Sequence, residues 1–347
     1  MDRNTLTGLV LIGAILIGYS FWMQPSPEEI EAQKRVQDSI AAVQADEERV
    51  EKMVDADLKS VDTAKSESLT LDSVAQALQD SLDKIKNKQR FGSFATAANG
   101  EEKRHTIQND FVRFTLSTKG GAPVSGELIE YVTYDSMPLF LFEDESSNFN
   151  LNFWLDQNTE LSSSELYFEE VPDEMTDSRA VYRIYGDNKD QYLEMAYDIE
   201  EGESYIVNAE VTVVGMDNLL RSSDDLFELN WKIDAPFHEK SREQEQMKTT
   251  MYYKYMTDDA DYVSETSYES EDLEASIQWV AFKQQFFSAA LISDDGFSKE
   301  GASVETIEME DENYTKGLSA SVGLEFGNGR SPSVPFKFYV GPNHYQT

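Results

Sequence analysis

The pattern of apolar and polar positions divides the chain into three parts. From Leu6 to Met23 no side chain is charged. At helical rise this stretch reaches about 27 Å, enough to cross the hydrocarbon core of a bilayer. A long charged region follows, and from about Arg104 apolar residues begin to alternate with polar ones, as in half-buried strands. We therefore predict a membrane anchor over 1–27, a charged helical tether and linker over 28–103, and a β domain over 104–347.

The residues that flank the apolar stretch favour an uncleaved anchor over a cleaved signal peptide. A cleavage site needs small residues after the apolar core, but here the core leads into bulky aromatic residues. Tyr19 and Trp22 suit the interface of a membrane, and Pro25 and Pro27 end the helix just beyond it. The anchor residues are predicted to be Leu6, Leu9, Leu11, Ile12, Ile15, Leu16, Ile17, Tyr19 and Trp22.

Charge predicts the orientation of this anchor. Arg3 and the α-amino group precede the apolar stretch, whereas acidic sequence follows it. The positive-inside rule then leaves the N-terminus in the cytoplasm and places the rest of the chain outside. For a bacterium the predicted location is the inner membrane, with the bulk of the chain in the periplasm. The chain has no cysteine, so it cannot be acylated as a lipoprotein.

The tether contains two helical patterns of unequal quality. In the first, over 28–65, Glu47 and Asp57 fall at core positions of the heptad seam and break a stable coiled coil. The second, from Leu71 to Ile85, fits the spacing better. Residues 91–103 are expected to form a loose linker. Self-association through the helices of 28–88 is an alternative role for the region.

The last part of the chain predicts a mainly β fold, an extended two-sheet antiparallel sandwich. Strands are expected within 105–117, 124–134, 137–143, 149–155, 165–171, 179–186, 192–199, 204–214, 226–233, 286–292, 303–309, 316–326 and 334–340. Helices are expected only at 240–256 and 272–285. The content of tyrosine and phenylalanine agrees with strands more than with helices.

Net charge excludes one class of partner. The chain has 29 basic and 66 acidic residues, a formal net charge of −37. Nucleic-acid binding needs Lys and Arg to replace phosphate counterions, so nucleic acid is excluded as a partner. The same charge disfavours broad contact with an anionic lipid surface.

The sequence contains no convincing catalytic, cofactor or metal site. The three histidines, His105, His238 and His344, lack metal-ligand spacing. His238 and Glu239 resemble an acid–base pair, but adjacent residues on an extended segment point to opposite faces. The acidic run Asp258–Asp261 is expected to be a solvated loop rather than a calcium site. A G-x-S-x-G nucleophile motif and a phosphate-binding glycine loop are both missing.

An aromatic cluster remains open to two interpretations. Trp279, Phe282, Phe286 and Phe287 could form a stacking platform for a sugar. Because the following residues continue as buried sequence, we expect them to belong to the core instead.

Three stretches together resemble a known family. They are the opening Met1-Asp-Arg-Asn-Thr-Leu, the segment from Val112 to Val124 with its Lys-Gly-Gly-Ala-Pro turn, and the segment from Trp279 to Ile292 paired with the terminal Phe338–Tyr345. In this order and spacing the chain resembles the N-terminal part of a YidC-type membrane protein insertase of the YidC/Oxa/Alb family, in its Gram-negative form. The residues that carry the motif are Gly120, Gly121, Trp279, Phe286, Phe287, Gly341 and Pro342.

The resemblance implies a β-supersandwich similar to galactose mutarotase, and a non-enzymatic role. Such proteins insert and fold inner-membrane proteins, alone or with the Sec translocon and SecDF components. The partners implied are therefore the lipid bilayer, nascent membrane proteins and this translocation machinery. The family's insertase bundle is not contained in these 347 residues, so no insertase residue of that bundle is assigned here. Two alternatives remain open: a stand-alone carbohydrate-binding or epimerase-like sandwich, and an oligomeric periplasmic scaffold.

Overall fold

The computed structural model describes residues 71–155, 159–216, 219–220, 226–326 and 331–343. The predicted anchor, Arg3 before it, the first part of the tether and His344 lie outside these residues. In the part of the chain that is described, no helix is both long and apolar enough to cross a membrane. The compact unit that contains the sandwich extends over Ala75–Thr347.

Helices form a small part of the described chain. The α-helices are α1 (Leu71–Phe91) and the short α2 (Arg242–Gln246), and the 3-10 helices are Gly92–Ala98, Asp144–Ser146, Ser163–Glu165 and Pro172–Glu174. Ser241 is the N-cap of α2, and its side chain accepts a hydrogen bond from the backbone N–H of Gln244.

Strands make up most of the rest. They are β1 Arg104–Gln108, β2 Val112–Ser117, β3 Ala122–Val132, β4 Pro138–Glu143, β5 Ser147–Leu155, β6 Thr159–Ser162, β7 Glu169–Glu170, β8 Arg179–Tyr185, β9 Tyr192–Ile199, β10 Ile206–Val214, β11 Leu226–Pro236, β12 Thr250–Tyr255, β13 Ala260–Tyr262, β14 Ser270–Asp272, β15 Ile277–Lys283, β16 Phe287–Ile307, β17 Tyr314–Glu325 and β18 Ser333–Pro342.

The strands form two antiparallel sheets. The smaller has four strands in the order β1-β2-β3-β4. The larger has fourteen, with the main order β6-β5-β11-β17-β16-β18-β10-β9-β8-β7. Four strands lie off this order. Strands β14 and β15 each pair with β16, β12 pairs with β15, and β13 pairs with β12. The 21-residue β16 pairs with β15 and β18 along its first half and with β14 and β17 along its second, so it joins the two halves of the sheet.

Aromatic side chains fill the space between the sheets. In β11 every second residue is buried, which places Trp231 on the inner face. Its ring lies 5.1 Å from that of Phe142 and 5.4 Å from that of Phe338. Phe114, from the smaller sheet, lies 5.3 Å from Phe338. These contacts make one continuous core and confirm the predicted two-sheet, mainly β fold.

Two predicted helices are wrong. Within 240–256 only α2 is helical, and the segment ends in strand β12; half of 272–285 is strand β15. Both segments are rich in aromatic and β-branched residues, which suit a pleated sheet. Pairing of β12 with β15, with Met251 opposite Phe282, outweighs the weak helical spacing of their apolar residues.

The segment expected to be a loose linker packs against the sandwich. Its 3-10 helix buries Phe94 completely, with the ring 5.9 Å from that of Phe153. The carbonyl of Ala97 accepts a hydrogen bond of 2.7 Å from the backbone N–H of Tyr167. We call Lys88–Ala98 and its contacts the entry end, because here the chain joins the sandwich.

Charged contacts surround this buried aromatic residue. Lys88 Nζ lies 2.9 Å from Asp187 Oδ1, and Ser93 Oγ donates to Asp187 Oδ2 at 2.8 Å. Arg90 donates to the carbonyl of Glu160 and to the carboxylate of Glu165, both at 2.7 Å. The entry end therefore buries its apolar group and leaves its charges in water.

Candidate functional site

Three connections meet at the opposite end of the sandwich, where strand β18 ends. They are the β3–β4 turn, the loop between β11 and α2, and the β15–β16 turn. Tyr131 and Phe287 place their rings 5.0 Å apart. The backbone N–H of Tyr134 donates to the carbonyl of His238 at 2.9 Å. We call these three connections, together with Asn343, the exit corner.

Asn343 is fixed to the β15–β16 turn by four hydrogen bonds. Its backbone N–H donates to the carbonyl of Phe286 at 2.8 Å. Its side-chain amide donates to the carbonyls of Gln284 and Gln285, each at 3.2 Å. Its side-chain oxygen accepts from Ser288 Oγ at 2.6 Å. Because the side chain uses both its donors and its acceptor, it holds the turn in a single conformation.

A buried carboxylate organises the loop before α2. Glu245 is 1% exposed, and its Oε2 accepts the backbone N–H groups of His238 and Glu239 at 2.9 and 3.0 Å. His238 is 3% exposed, and its Nε2 lies 2.7 Å from the carbonyl oxygen of Phe140. A carbonyl only accepts, so Nε2 carries a proton, while Nδ1 lies 3.3 Å from Glu245 Oε1.

This arrangement settles which carboxylate pairs with the histidine. The carboxylate that meets His238 is Glu245, not its neighbour Glu239, and both members of the pair are sealed from solvent. Their contacts join β4, the β11–α2 loop and α2. The geometry is that of a structural link between elements.

The surroundings also shift the pKa of a carboxylate on β4, Glu143, although its side chain is exposed. Desolvation and the nearby charge of Asp144 raise the pKa of Glu143, while His238 opposes the shift. An acid in this position holds its proton more tightly in the folded chain than in the unfolded chain.

Apolar side chains protrude from the exit corner into solvent. Val132 is 62% exposed, Met137 59%, Tyr134 54% and Phe286 53%. We call these four side chains the apolar tips. They stand on two turns that Tyr131 and Phe287 hold together from below. Clustered apolar exposure on an acidic surface indicates a place of contact rather than a chance excess.

Other parts of the described chain offer less chemistry. A cavity of about 500 Å³ lies beside the entry end, lined in part by Lys103, Tyr167, Arg183 and Tyr185. The guanidinium of Arg183 is already bound to Glu194 at 2.5 Å. Within the described residues, no group of three or more His, Asp or Glu side chains is placed to hold a metal ion.

The structure divides the family-motif residues between two places. Phe286, Phe287, Gly341 and Pro342 lie together at the exit corner, where Phe287 pairs with Pro342. Trp279 is half-buried further along β15, opposite Ile292. Their functional role stays a prediction.

Gly120 and Gly121 lie elsewhere, in the turn between β2 and β3. Both have positive φ, 80° and 61°, a conformation that favours glycine. The carbonyl of Gly121 accepts a hydrogen bond from Tyr197 Oη at 2.7 Å, and a Cβ on Gly121 would meet the Phe168 ring at 3.0 Å. These glycines serve the fold.

The aromatic cluster around Trp279 also separates. Phe282 and Phe287 belong to the core, as expected, but Phe286 points into solvent. Sequence reasoning also missed Tyr134, Glu245 and Asn343. The only local signal was the Ser241-x-x-Gln244 spacing that starts α2.

Comparison with known proteins gives the class first. The model of the YidC periplasmic domain matches residues 104–347, so the β sandwich is of the class found in membrane protein insertases. The "Membrane protein insertase YidC" of Bacteroides fragilis is 34% identical over 348 residues, covering 100% of this chain and 52% of the relative. That of Parabacteroides distasonis is 31% identical over 345 residues, covering 99% and 52%. The chain belongs to the YidC family, and it spans about half the length of the curated relatives it matches.

Similarity to solved structures is weaker. A "Putative aldose 1-epimerase" from Escherichia coli matches with a TM-score of 0.41 at 9% identity, over 69% of this chain and 99% of its own. A crystal structure of an active YidC insertase matches with a TM-score of 0.32 at 13% identity, over 77% and 46%. At these scores neither similarity carries an argument.

Proposed function

We propose that this chain is the membrane anchor and periplasmic domain of a membrane protein insertase and chaperone. The observation that supports it is the match to insertases over 99–100% of the chain, including the 34% identity to the Bacteroides fragilis protein. A shared fold alone would be a weak basis for a function. Here the similarity also extends through the predicted anchor and tether.

The proposed arrangement follows the sequence. The segment from Leu6 to Trp22 crosses the inner membrane, with Arg3 on the cytoplasmic side. The part of the tether over 28–103 that precedes the entry end sets the reach of the β domain over 104–347, which lies in the periplasm. The partners are nascent membrane proteins, the lipid bilayer, and the Sec translocon with SecDF components.

The domain acts by positioning rather than by chemical catalysis. The buried histidine–carboxylate pair of His238 and Glu245 is sealed and joins structural elements. The proposed role is therefore to hold partners or emerging chains near the membrane.

An insertion assay tests this proposal in the source bacterium. Cells are depleted of the native protein, and protease protection of a small reporter membrane protein measures its insertion. We expect insertion to fall on depletion and to return when the native gene is restored. Secretion of a soluble periplasmic protein is the matched control, and its unchanged yield separates insertion from general export. Normal insertion after full depletion would contradict the proposal.

Two further measurements address the alternatives. An antibody against the β domain recovers the native polypeptide from membranes, and a mass far above 39.4 kDa supports an insertase that this chain forms in part. Titration calorimetry with a panel of sugars tests the carbohydrate-binding alternative. Saturable heat that aromatic substitutions abolish would favour that alternative.

A further inference from the structure

We propose that the exit corner docks on the surface of a zwitterionic lipid bilayer through the apolar tips, Val132, Tyr134, Met137 and Phe286. This inference rests on the proposed function in one respect, because the predicted anchor keeps a bilayer close to the domain. The partner class, its charge and the residues involved come from the exit corner itself.

The shape of the surface fits a deformable partner. The four side chains stand on turns at one end of the sandwich, and each is more than half exposed. Protruding side chains fill no groove of their own, so a rigid protein would need matching pockets for each of them. A lipid interface adapts to them, and aromatic side chains such as Tyr134 are favoured there.

The backbone beneath the tips is already satisfied. In the β3–β4 turn the N–H of Thr133 donates to the carbonyl of Met137 at 3.0 Å, and the N–H of Ser136 donates to the carbonyl of Thr133 at 2.9 Å. The N–H of Met137 donates to Thr133 Oγ1 at 3.1 Å. Because these donors are already paired, the turn pays a smaller desolvation cost when it approaches an apolar medium. The same pairing leaves these groups unavailable for adding a strand from a partner.

The two turns act as one surface because they are locked together. Tyr131 packs on Phe287 beneath the tips, and Tyr134 stacks on Phe237 with ring centroids 6.3 Å apart. The hydrogen bonds of Asn343 and Glu245 fix the loops from behind. Little conformational entropy is therefore lost when the tips bind.

Charge selects the kind of bilayer. Glu130 and Asp135 are exposed beside the tips, and the chain carries a net charge of −37. Anionic headgroups would be repelled, and so would the same face of a second copy. A zwitterionic headgroup avoids this repulsion.

The absence of cysteine makes a direct test possible, since one introduced cysteine carries one label. The full chain is reconstituted in phosphatidylcholine vesicles with a fluorophore at Met137→Cys or Phe286→Cys. Brominated phosphatidylcholine then quenches a label that touches the lipid. The matched control is Asp190→Cys, an exposed site in the β8–β9 turn. Strand register places it about 26 Å along β10 from the exit corner.

We expect the labels at 137 and 286 to lose emission as the brominated fraction rises, while the label at 190 does not. Replacing much of the phosphatidylcholine by phosphatidylglycerol should reduce that loss. A third label at the exposed Lys240→Cys leaves the tips intact. Quenching of the label at 240 should fall when the substitutions Val132→Ser and Met137→Ser are introduced into the same chain. Circular dichroism checks that the fold is retained.

Three outcomes would overturn the docking proposal. One is an equal loss of emission at 137, 190 and 286 when brominated lipid is present in vesicles that carry the chain. Another is a label that is protected from quenching by aqueous iodide but loses this protection when the sample is diluted. Such a result would indicate that a second copy of the chain covers the tips. The third is stronger quenching in anionic vesicles. Failure of the chain to float with vesicles would instead count against the anchor and the proposed function.

Discussion

The entry end and the exit corner both fix a segment of chain to the sandwich, but they place their apolar groups oppositely. At the entry end Phe94 is fully buried and charged pairs lie outside it. At the exit corner the contacts made by His238, Glu245 and Asn343 are polar, while Phe286 and three other apolar side chains point into solvent. The difference shows that aromatic content alone does not identify a core. An end built only for stability would have buried its apolar tips, so the exit corner serves contact.

The largest effect expected from this comparison is at Phe94. Phe94→Ala leaves a cavity against Phe153 and should lower the free energy of unfolding by about 3–5 kcal/mol. Urea unfolding of the full chain in detergent, followed by circular dichroism, measures it. Phe286→Ala is the matched control, because the same atoms are removed from an exposed side chain and the change should stay within about 0.5 kcal/mol. Equal losses for the two variants would mean that the ends do not differ in this way.

The next largest effect is at Glu245. Glu245→Ala leaves the backbone N–H groups of His238 and Glu239 buried without their acceptor, and should cost about 2–3 kcal/mol. Glu245→Gln keeps one acceptor oxygen and should cost less. The same unfolding measurement ranks the two variants. If Glu245→Ala proves neutral, the polar link at the exit corner does not stabilise the domain.

A smaller effect is expected at Asn343. Asn343→Ala removes the side-chain hydrogen bonds to Gln284 and Gln285 and should cost about 1–2 kcal/mol. Hydrogen exchange at the β15–β16 turn should quicken, while exchange at the entry end stays unchanged. Ser288→Ala, which removes only the hydrogen bond that Ser288 Oγ donates to the Asn343 side chain, is the control. Faster exchange throughout the domain would show that Asn343 supports the whole fold rather than the corner.

The smallest effect is at the exposed ion pair of the entry end. Hydrogen bonds from Lys88 and Ser93 lower the pKa of Asp187 below its ordinary value of 3.8. The folded chain therefore binds this proton less tightly than the unfolded chain does. The ion pair stabilises the folded chain at pH values above the ordinary pKa, and this stabilisation is lost as the pH falls through the lowered pKa. Asp187→Asn should cost about 0.5 kcal/mol near neutral pH, because the pair is exposed and screened.

The pH profile is the measurement for this last variant. The difference in stability between wild type and Asp187→Asn should begin to shrink below about pH 4, where the unfolded chain takes up the proton, and should be lost once the pH is below the lowered pKa of the folded chain. Lys88→Met removes the other partner and should show the same profile. A difference that stays constant down to about pH 2 would exclude the ion pair as its cause.

Most of the fold could be predicted because alternation within a strand is a local signal. Alternation along Tyr192–Ile199 predicted β9 with its observed bounds, and alternation along Leu226–Ile233 predicted β11 except for its last three residues. The helix predicted at 272–285 is wrong because the apolar spacing there fits a helix as well as a strand, and only pairing with β12 and β16 decides between them. The packing of the linker before Arg104 could not be predicted, because Phe91 and Phe94 in a segment of small and polar residues define no period.

The candidate site could be predicted only in part. The motif residues Phe286 and Phe287 pointed to the right turn, yet sequence reasoning assigned both of them to the core. Their exposure differs because successive residues of an extended segment face opposite sides. Tyr134 lies far from them in the chain, and no local pattern connects it to Phe286.

Most of the strand pattern, the acidic surface, the predicted anchor and the resemblance to insertases could be inferred from the sequence alone, because these depend on neighbouring residues or on composition. Only the folded chain shows that Glu245, and not Glu239, meets His238, that Phe94 closes the core, and that the apolar tips of two turns distant in sequence share one end of the sandwich. Contacts between residues far apart in the chain depend on sheet register and loop closure. Neither of these is encoded in a local run of residues.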